Sequence, residues 1–134
     1  MGFFSFLKGF SFFAPSYQAY LKLGYKARIY NGDFIFTREY EQCIVHIHQS
    51  VEPHNKKFSN LIDFEIDDAC VIFEFNSDLQ DHRKLIDTIR EKFDFSYERD
   101  NFLFSMNKNM DFNDPLLEST ICALHIDILN SSLK

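Results

Sequence analysis

Residues 61–106, LIDFEIDDACVIFEFNSDLQDHRKLIDTIREKFDFSYERDNFLFSM, decide how the chain reads. From Leu61 to Ile66 apolar and acidic residues alternate strictly. Ile62, Phe64 and Ile66 point one way and Asp63, Glu65 and Asp67 the other, the period of two of a half-buried strand. Asp67-Asp68 interrupts the pattern. Cys70–Phe75 resumes it, with Val71, Phe73 and Phe75 on one face and Cys70, Ile72 and Glu74 on the other. The period then changes. Leu79, Leu85, Ile86, Ile89 and Phe93 recur as one stripe of a helix spanning Asp78 to Phe93. Ser77 and Gln80 have the spacing of a capping box, in which each side chain satisfies a backbone N–H at the helix start. Asp78 and Asp81 suit the positive end of that helix, and Arg90 and Lys92 the negative end. Phe95 and Tyr97 alternate with Ser96 and Glu98, Arg99-Asp100-Asn101 turns the chain, and Phe102, Phe104 and Met106 line one face of a returning strand.

On the C-terminal side, residues 107–113 read as a linker. Asp114-Pro115 is a helix start, with Asp as cap and Pro in the first helical position. Leu117, Ile121, Leu124 and Ile128 form its buried stripe, and the helix runs out at Asn130-Ser131-Ser132. On the N-terminal side, a short helix spans Ser16 to Leu23, with Ser16 as cap and Gly24 as stop. A hairpin follows from Ala27 to Phe36 around Asn31-Gly32, whose residues tolerate the positive φ of a tight turn. A further strand runs from Gln42 to Val51, and Pro53–Ser59 is a polar loop. The order is α-β-β-β-β-β-α-β-β-α. It implies an α+β fold: one antiparallel sheet with helices packed on one face. Residues 15–134 form a single domain, preceded by a Phe-rich segment at 1–14.

The chain carries a net charge of −6, which excludes a general nucleic-acid binder, since such proteins need a basic surface. Aromatics make up 17% of the residues, enough for a large core in 134 residues. Cys43, Cys70 and Cys122 are an odd number at wide spacings inside apolar segments. They read as reduced core thiols of a cytoplasmic protein, not as a disulfide framework.

The acidic residues are not scattered. No Lys or Arg occurs between Lys57 and Arg83, and in that window lie Asp63, Glu65, Asp67, Asp68, Glu74, Asp78 and Asp81. Asp63, Glu65, Asp67, Asp68 and Glu74 are the candidate docking residues for a partner protein with a basic surface, which would gain association rate and specificity from complementary charge. They do not form a calcium loop, because Phe64 and Ile66 intervene and the turn glycine is missing. His46, His48 and His54 are the candidate metal ligands. His46 and His48 project to one face of their strand, and zinc takes three or four such groups. Cys43 points the other way, and two histidines on the wet face of a strand are the commoner arrangement. No glycine-rich phosphate loop or nucleophile elbow occurs, and the sequence implies neither a cofactor nor a catalytic centre.

Met1–Ala14 contains six Phe, and Phe3, Phe6 and Phe10 share a helical face suited to a membrane surface or a docking partner. The segment is too short to span a bilayer and lacks the basic start of a secretory signal.

In the order of its elements the chain resembles the class I type III secretion chaperones and their YbjN-like relatives. The corresponding segments are LKLGY at Leu21–Tyr25, the strand through Asp33-Phe34-Ile35-Phe36, the helix Asp78–Phe93 and the last helix. That resemblance implies a small, acidic, non-enzymatic protein binder, often a homodimer. The expected function is therefore a protein-binding module, either a secretion chaperone or an immunity protein that neutralises a toxin. A metal-dependent enzyme built on His46, His48 and His54, and a peripheral membrane protein held by residues 1–14, are the alternatives.

Overall fold

The computed structural model describes residues 15–30, 33–50, 56–57, 65–66, 70–93, 95–106 and 115–132. In chain order they form α1 (Pro15–Lys22), β1 (Lys26–Tyr30), β2 (Asp33–Glu39), β3 (Cys43–Ser50), β4 (Lys56–Lys57), β5 (Glu65–Ile66) and β6 (Cys70–Phe75). A 3-10 turn (Leu79–His82), α2 (Arg83–Lys92), β7 (Phe95–Arg99), β8 (Phe102–Met106) and α3 (Pro115–Ser132) follow. Six strands make an antiparallel sheet in the order β1-β2-β3-β6-β8-β7. The α+β layout expected from the sequence is the observed one.

One strand does not take the expected place. Of the expected strand Leu61–Ile66, residues 61–64 lie outside the described residues. Only Glu65–Ile66 is described as strand there, and it pairs with Lys56–Lys57, inside the stretch expected to be a loop, in a separate two-stranded ladder. The reason lies in β6. One of its edges is taken by β3 and the other by β8, so β6 has no edge left for Glu65–Ile66. The β1–β2 hairpin forms as expected, with Tyr30 opposite Asp33; Asn31 and Gly32 lie outside the described residues. Residues 1–14 do as well.

The first helix begins at Pro15, one residue before the expected Ser16 cap, which suits a residue with no N–H to satisfy. Its end is the expected glycine. Gly24 has φ of +91°, the Tyr25 N–H donates to the Tyr20 carbonyl at 3.0 Å, and the Gly24 N–H donates to the Leu21 carbonyl at 3.0 Å. This is the Schellman arrangement, and its apolar contact is Tyr20 against Tyr25, with ring centres 6.1 Å apart. At the middle helix the cap is Asp78 and not Ser77. Asp78 Oδ1 accepts from the Gln80 N–H at 2.9 Å, whereas Ser77 Oγ bonds His82 Nε2 at 2.8 Å. An aspartate reaching two residues ahead closes a tighter turn, and the segment accordingly starts as 3-10 before widening into α2 at Arg83.

All three helices cover one face of the sheet. Tyr20 of α1, Leu85, Ile86 and Ile89 of α2, and Leu117, Ile121, Leu124 and Ile128 of α3 share one core with Phe34, Phe36, Val45, Ile47, Phe73 and Leu103 from the strands. Every residue of both expected helical stripes is buried. Glu98 of β7 clamps α2 to this face: Arg83 binds it through two nitrogens, each at 2.8 Å, and Arg90 adds a third contact. The Arg83 guanidinium holds the Glu98 carboxyl below its ordinary range. The opposite face is apolar at its centre, where Ile35, Cys70, Ile72 and Phe104 are buried. This explains β6, whose residues are buried on both sides except for Glu74.

Two stability measurements test this packing. Ile86→Ala and Ile121→Ala should each lower the free energy of unfolding in urea by about 2–5 kcal/mol, the usual cost of emptying a buried aliphatic site. Losses below about 1 kcal/mol at both would mean that the helices present other faces. Gly24→Ala should cost about 1 kcal/mol or more, because φ there is unfavourable for a side chain and the added Cβ would meet Arg38 Nε at 3.3 Å. An unchanged urea midpoint would contradict the cap geometry.

Candidate docking site at the acidic end of the sheet

The β3–β6 ladder closes at Cys43 opposite Phe75, and the chain beyond that pair is held as tightly as the ladder itself. The Tyr40 N–H donates to the Cys43 carbonyl at 2.7 Å, and the Asn76 N–H donates to the Gln42 carbonyl at 3.1 Å. Asn76 Nδ2 reaches the Glu41 carbonyl at 3.0 Å, and Asn101 Nδ2 reaches the Phe75 carbonyl at 3.1 Å. These bonds fix an end of the sheet that carries Glu39, Glu41, Glu74, Asp78 and Asp81. All but Glu74 are exposed, and the Glu74 side chain is 38% exposed.

Next to this end lies a cleft of about 510 Å³. The β2–β3 turn supplies Glu41 and Gln42, and Asn76 follows from β6. Asp81, His82, Lys84, Leu85 and Thr88 come from the 3-10 turn and α2, and Asp127, Asn130 and Ser131 from the last turns of α3. Its walls are tied together. Gln42 Nε2 donates to Ser131 Oγ at 2.5 Å, Ser131 Oγ donates to the Ile128 carbonyl at 2.9 Å, and Lys92 Nζ stands 3.6 Å from Asp127 Oδ2. His82 stacks on Phe75 with ring centres 4.8 Å apart, which fixes the floor.

Of the docking residues expected from the sequence, the structure places Glu74 on β6, where His46 Nε2 lies 3.5 Å from its Oε1. Glu65 stands on β5 opposite Lys57, so Glu65 and Glu74 belong to separate ladders. Asp63, Asp67 and Asp68 lie outside the described residues.

The histidine pair is on one face of β3 as expected, but both side chains are half-buried there. Burial drives the His48 imidazole down to about 3 and lowers His46 as well, against the pull of Glu74. His46 Nδ1 bonds Thr37 Oγ1 at 3.2 Å. His54 lies outside the described residues, and among the described residues no three His, Cys, Asp or Glu stand together to hold a metal. The cysteines carry no disulfide. Cys43 and Cys70 are buried and Cys122 is half-buried, with burial pushing the Cys43 thiol up to about 12.

One polar cluster has no counterpart in the sequence reading. Arg38 Nη1 donates to His125 Nδ1 at 2.9 Å, the Tyr40 hydroxyl bonds the same nitrogen at 2.8 Å, and the Tyr25 hydroxyl lies 3.0 Å from that of Tyr40. The Arg38 guanidinium also sits over the Tyr40 ring at 4.3 Å. Arg38 can only donate, so His125 Nδ1 is the acceptor and its ring proton sits on Nε2. Burial, and then Arg38, lower the His125 pKa. The cluster ties α3 to the strand end that precedes the cleft. Arg38 and His125 alone are 87 residues apart, and no local spacing marks the cluster.

Comparison with known protein families, with curated proteins and with solved structures returns no match. The functional reading therefore rests on the chain's own chemistry.

The histidines give a pH dependence with a definite sign. His46, His48 and His125 all have folded values below the ordinary 6.5, so the unfolded chain takes up protons that the folded chain refuses. Stability is full above about pH 6.5 and falls on acidification, by about 1.4 kcal/mol per pH unit for each refused proton. Glu98 adds its own loss only below its ordinary value of 4.5, so the window from pH 7 to 5 reports the histidines. Urea unfolding across that window should show falling stability, and His48→Leu should flatten the slope. A flat profile for the parent chain would contradict the burial of His48.

Proposed function

We propose that the chain is a non-catalytic, acidic protein-binding module that docks a basic partner protein. One observation carries this reading: the lysine- and arginine-free window between Lys57 and Arg83 supplies Glu74, Asp78 and Asp81 to one end of the sheet, where Glu39 and Glu41 join them. Such an acid-rich surface speeds encounter with an oppositely charged protein and disfavours wrong partners. The resemblance in element order to secretion chaperones supports the same class, and a toxin-neutralising immunity protein would use the same surface. A cytoplasmic site of action belongs to the proposal. Among the described residues no helix is long and apolar enough to cross a membrane.

The test neutralises the window without touching the Asp78 cap. Asp63→Asn, Glu65→Gln, Asp67→Asn and Glu74→Gln in one chain should leave the unfolding midpoint near that of the parent, because ion pairs that keep solvent contact, such as Glu74 with His46, add little to stability. Capture of basic proteins from the native lysate should weaken, through slower association, and the difference should shrink as salt is raised. Equal capture by the two folded chains at every salt concentration would sink the proposal.

A further inference from the structure

The cleft beside the acidic end has the size of a ligand site and a lining that mixes polar side chains with apolar surface. Its volume of about 510 Å³ falls within the roughly 300–1,000 Å³ of small-molecule clefts. Such clefts are usually apolar, whereas here Leu85 is the only aliphatic side chain in the lining.

Its charge is also one-sided. Glu41, Asp81 and Asp127 line it; Asp127 is already faced by Lys92, which leaves Glu41 and Asp81 against Lys84, the one lysine or arginine in the lining. The amide nitrogens of Gln42 and Asn76 already donate inside the wall, to Ser131 Oγ and the Glu41 carbonyl. What the walls present to a ligand is therefore weighted toward acceptors. The end of α3 adds to this. Its last turn, which supplies Asn130 and Ser131, carries no basic side chain. The negative pole of an 18-residue helix, equivalent to about half an elementary charge, is left without a lysine or arginine of its own turn to complement it.

We infer that this cleft receives an arginine side chain of the basic partner. The inference rests on the protein-binding reading and gives it an anchor point. Arginine suits the site better than lysine because its planar fork offers five donors to several acceptors at once, and because its weaker hydration lowers the cost of entering a cleft. The walls are fixed by hydrogen bonds before any partner arrives, so little ordering has to accompany binding.

The test is a titration of the 15N-labelled full chain with N-acetyl-arginine amide, followed by amide chemical shifts. Saturable shifts should gather at Glu41, Gln42, Asn76, Asp81–Leu85 and Asn130–Ser131. Glu41→Gln with Asp81→Asn should weaken binding by about fivefold or more, and Lys84→Gln should strengthen it by about twofold, since the removed charges have opposite signs. A merely structural role for these residues would not reverse sign between the two variants. No saturable shifts, shifts spread evenly over the surface, or equal shifts with N-acetyl-norleucine amide would overturn the inference. Any of those results would leave the protein-binding reading standing, because capture through the 63–74 carboxylates is read on a different variant and without this probe.

Discussion

The pairing of β3 with β6 is the constraint on which the rest of the structure depends. It joins the three-stranded meander β1–β3 to the unit made of β6, β8 and β7, and it is the one ladder between those halves in the six-stranded sheet. Its register sets Ile47 opposite Val71 and Val45 opposite Phe73 on the helix side, and His46 opposite Ile72 and His48 opposite Cys70 on the other. A slip of β3 by one residue would send His46 and His48 under the helices and bring Val45 and Ile47 to the far face, while β6 kept its own faces. With β2 and β8 closing the remaining edges, neither strand can take another neighbour. The unusual chemistry of the histidines follows from this position, since a central strand has no wet edge to which an imidazole can retreat.

The same ladder positions the cleft. Gln42 and Asn76 are the first residues past the Cys43–Phe75 pair, and their backbone bond continues the ladder by one step. The cleft walls therefore inherit the rigidity of the sheet and do not depend on a long loop. The other wall, the end of α3, is fixed from a distance by His125, which meets Arg38 and Tyr40 just before the same turn. Docking residues held on rigid elements in this way lose little freedom on binding.

What was legible in the sequence follows the range of the interaction. The stripes Leu85-Ile86-Ile89 and Leu117-Ile121-Leu124-Ile128 and the Gly24 stop depend on neighbours within a turn or two, and all were readable. The cap at Asp78 was misread as Ser77 because two adjacent residues can each close the turn, and the choice is made by geometry and not by residue type. The alternation from Leu61 to Ile66 was read as a strand of the sheet, but alternation shows only that a segment suits a pleated surface. Whether an edge is vacant is decided by β3 and β8, elsewhere in the chain. His46 and His48 were placed on the correct face, yet their partial burial comes with Ile35, Ile72 and Phe104 on three other strands. The Arg38–Tyr40–His125 contact spans too much sequence for any local pattern to show it.

The distribution of charge follows from what each cation is already doing. Arg83 and Arg90 both bind Glu98, Lys92 faces Asp127, and Arg38 is held by His125 and the Tyr40 ring. These four cations hold the helices to the sheet and to one another. Among the described residues Glu39, Glu41 and Asp81 make no salt bridge, Asp78 caps the 3-10 turn and lies within electrostatic reach of Arg83, and all four remain exposed. Structural ion pairs thus withdraw positive charge into contacts between elements and leave negative charge at one end of the sheet. A net charge of −6 spread evenly would create only a weak field around a domain of this size. Concentrated beside a rigid cleft, with Lys84 as the one opposing lysine in its lining, the same charge becomes a local feature that a cationic side chain can recognise.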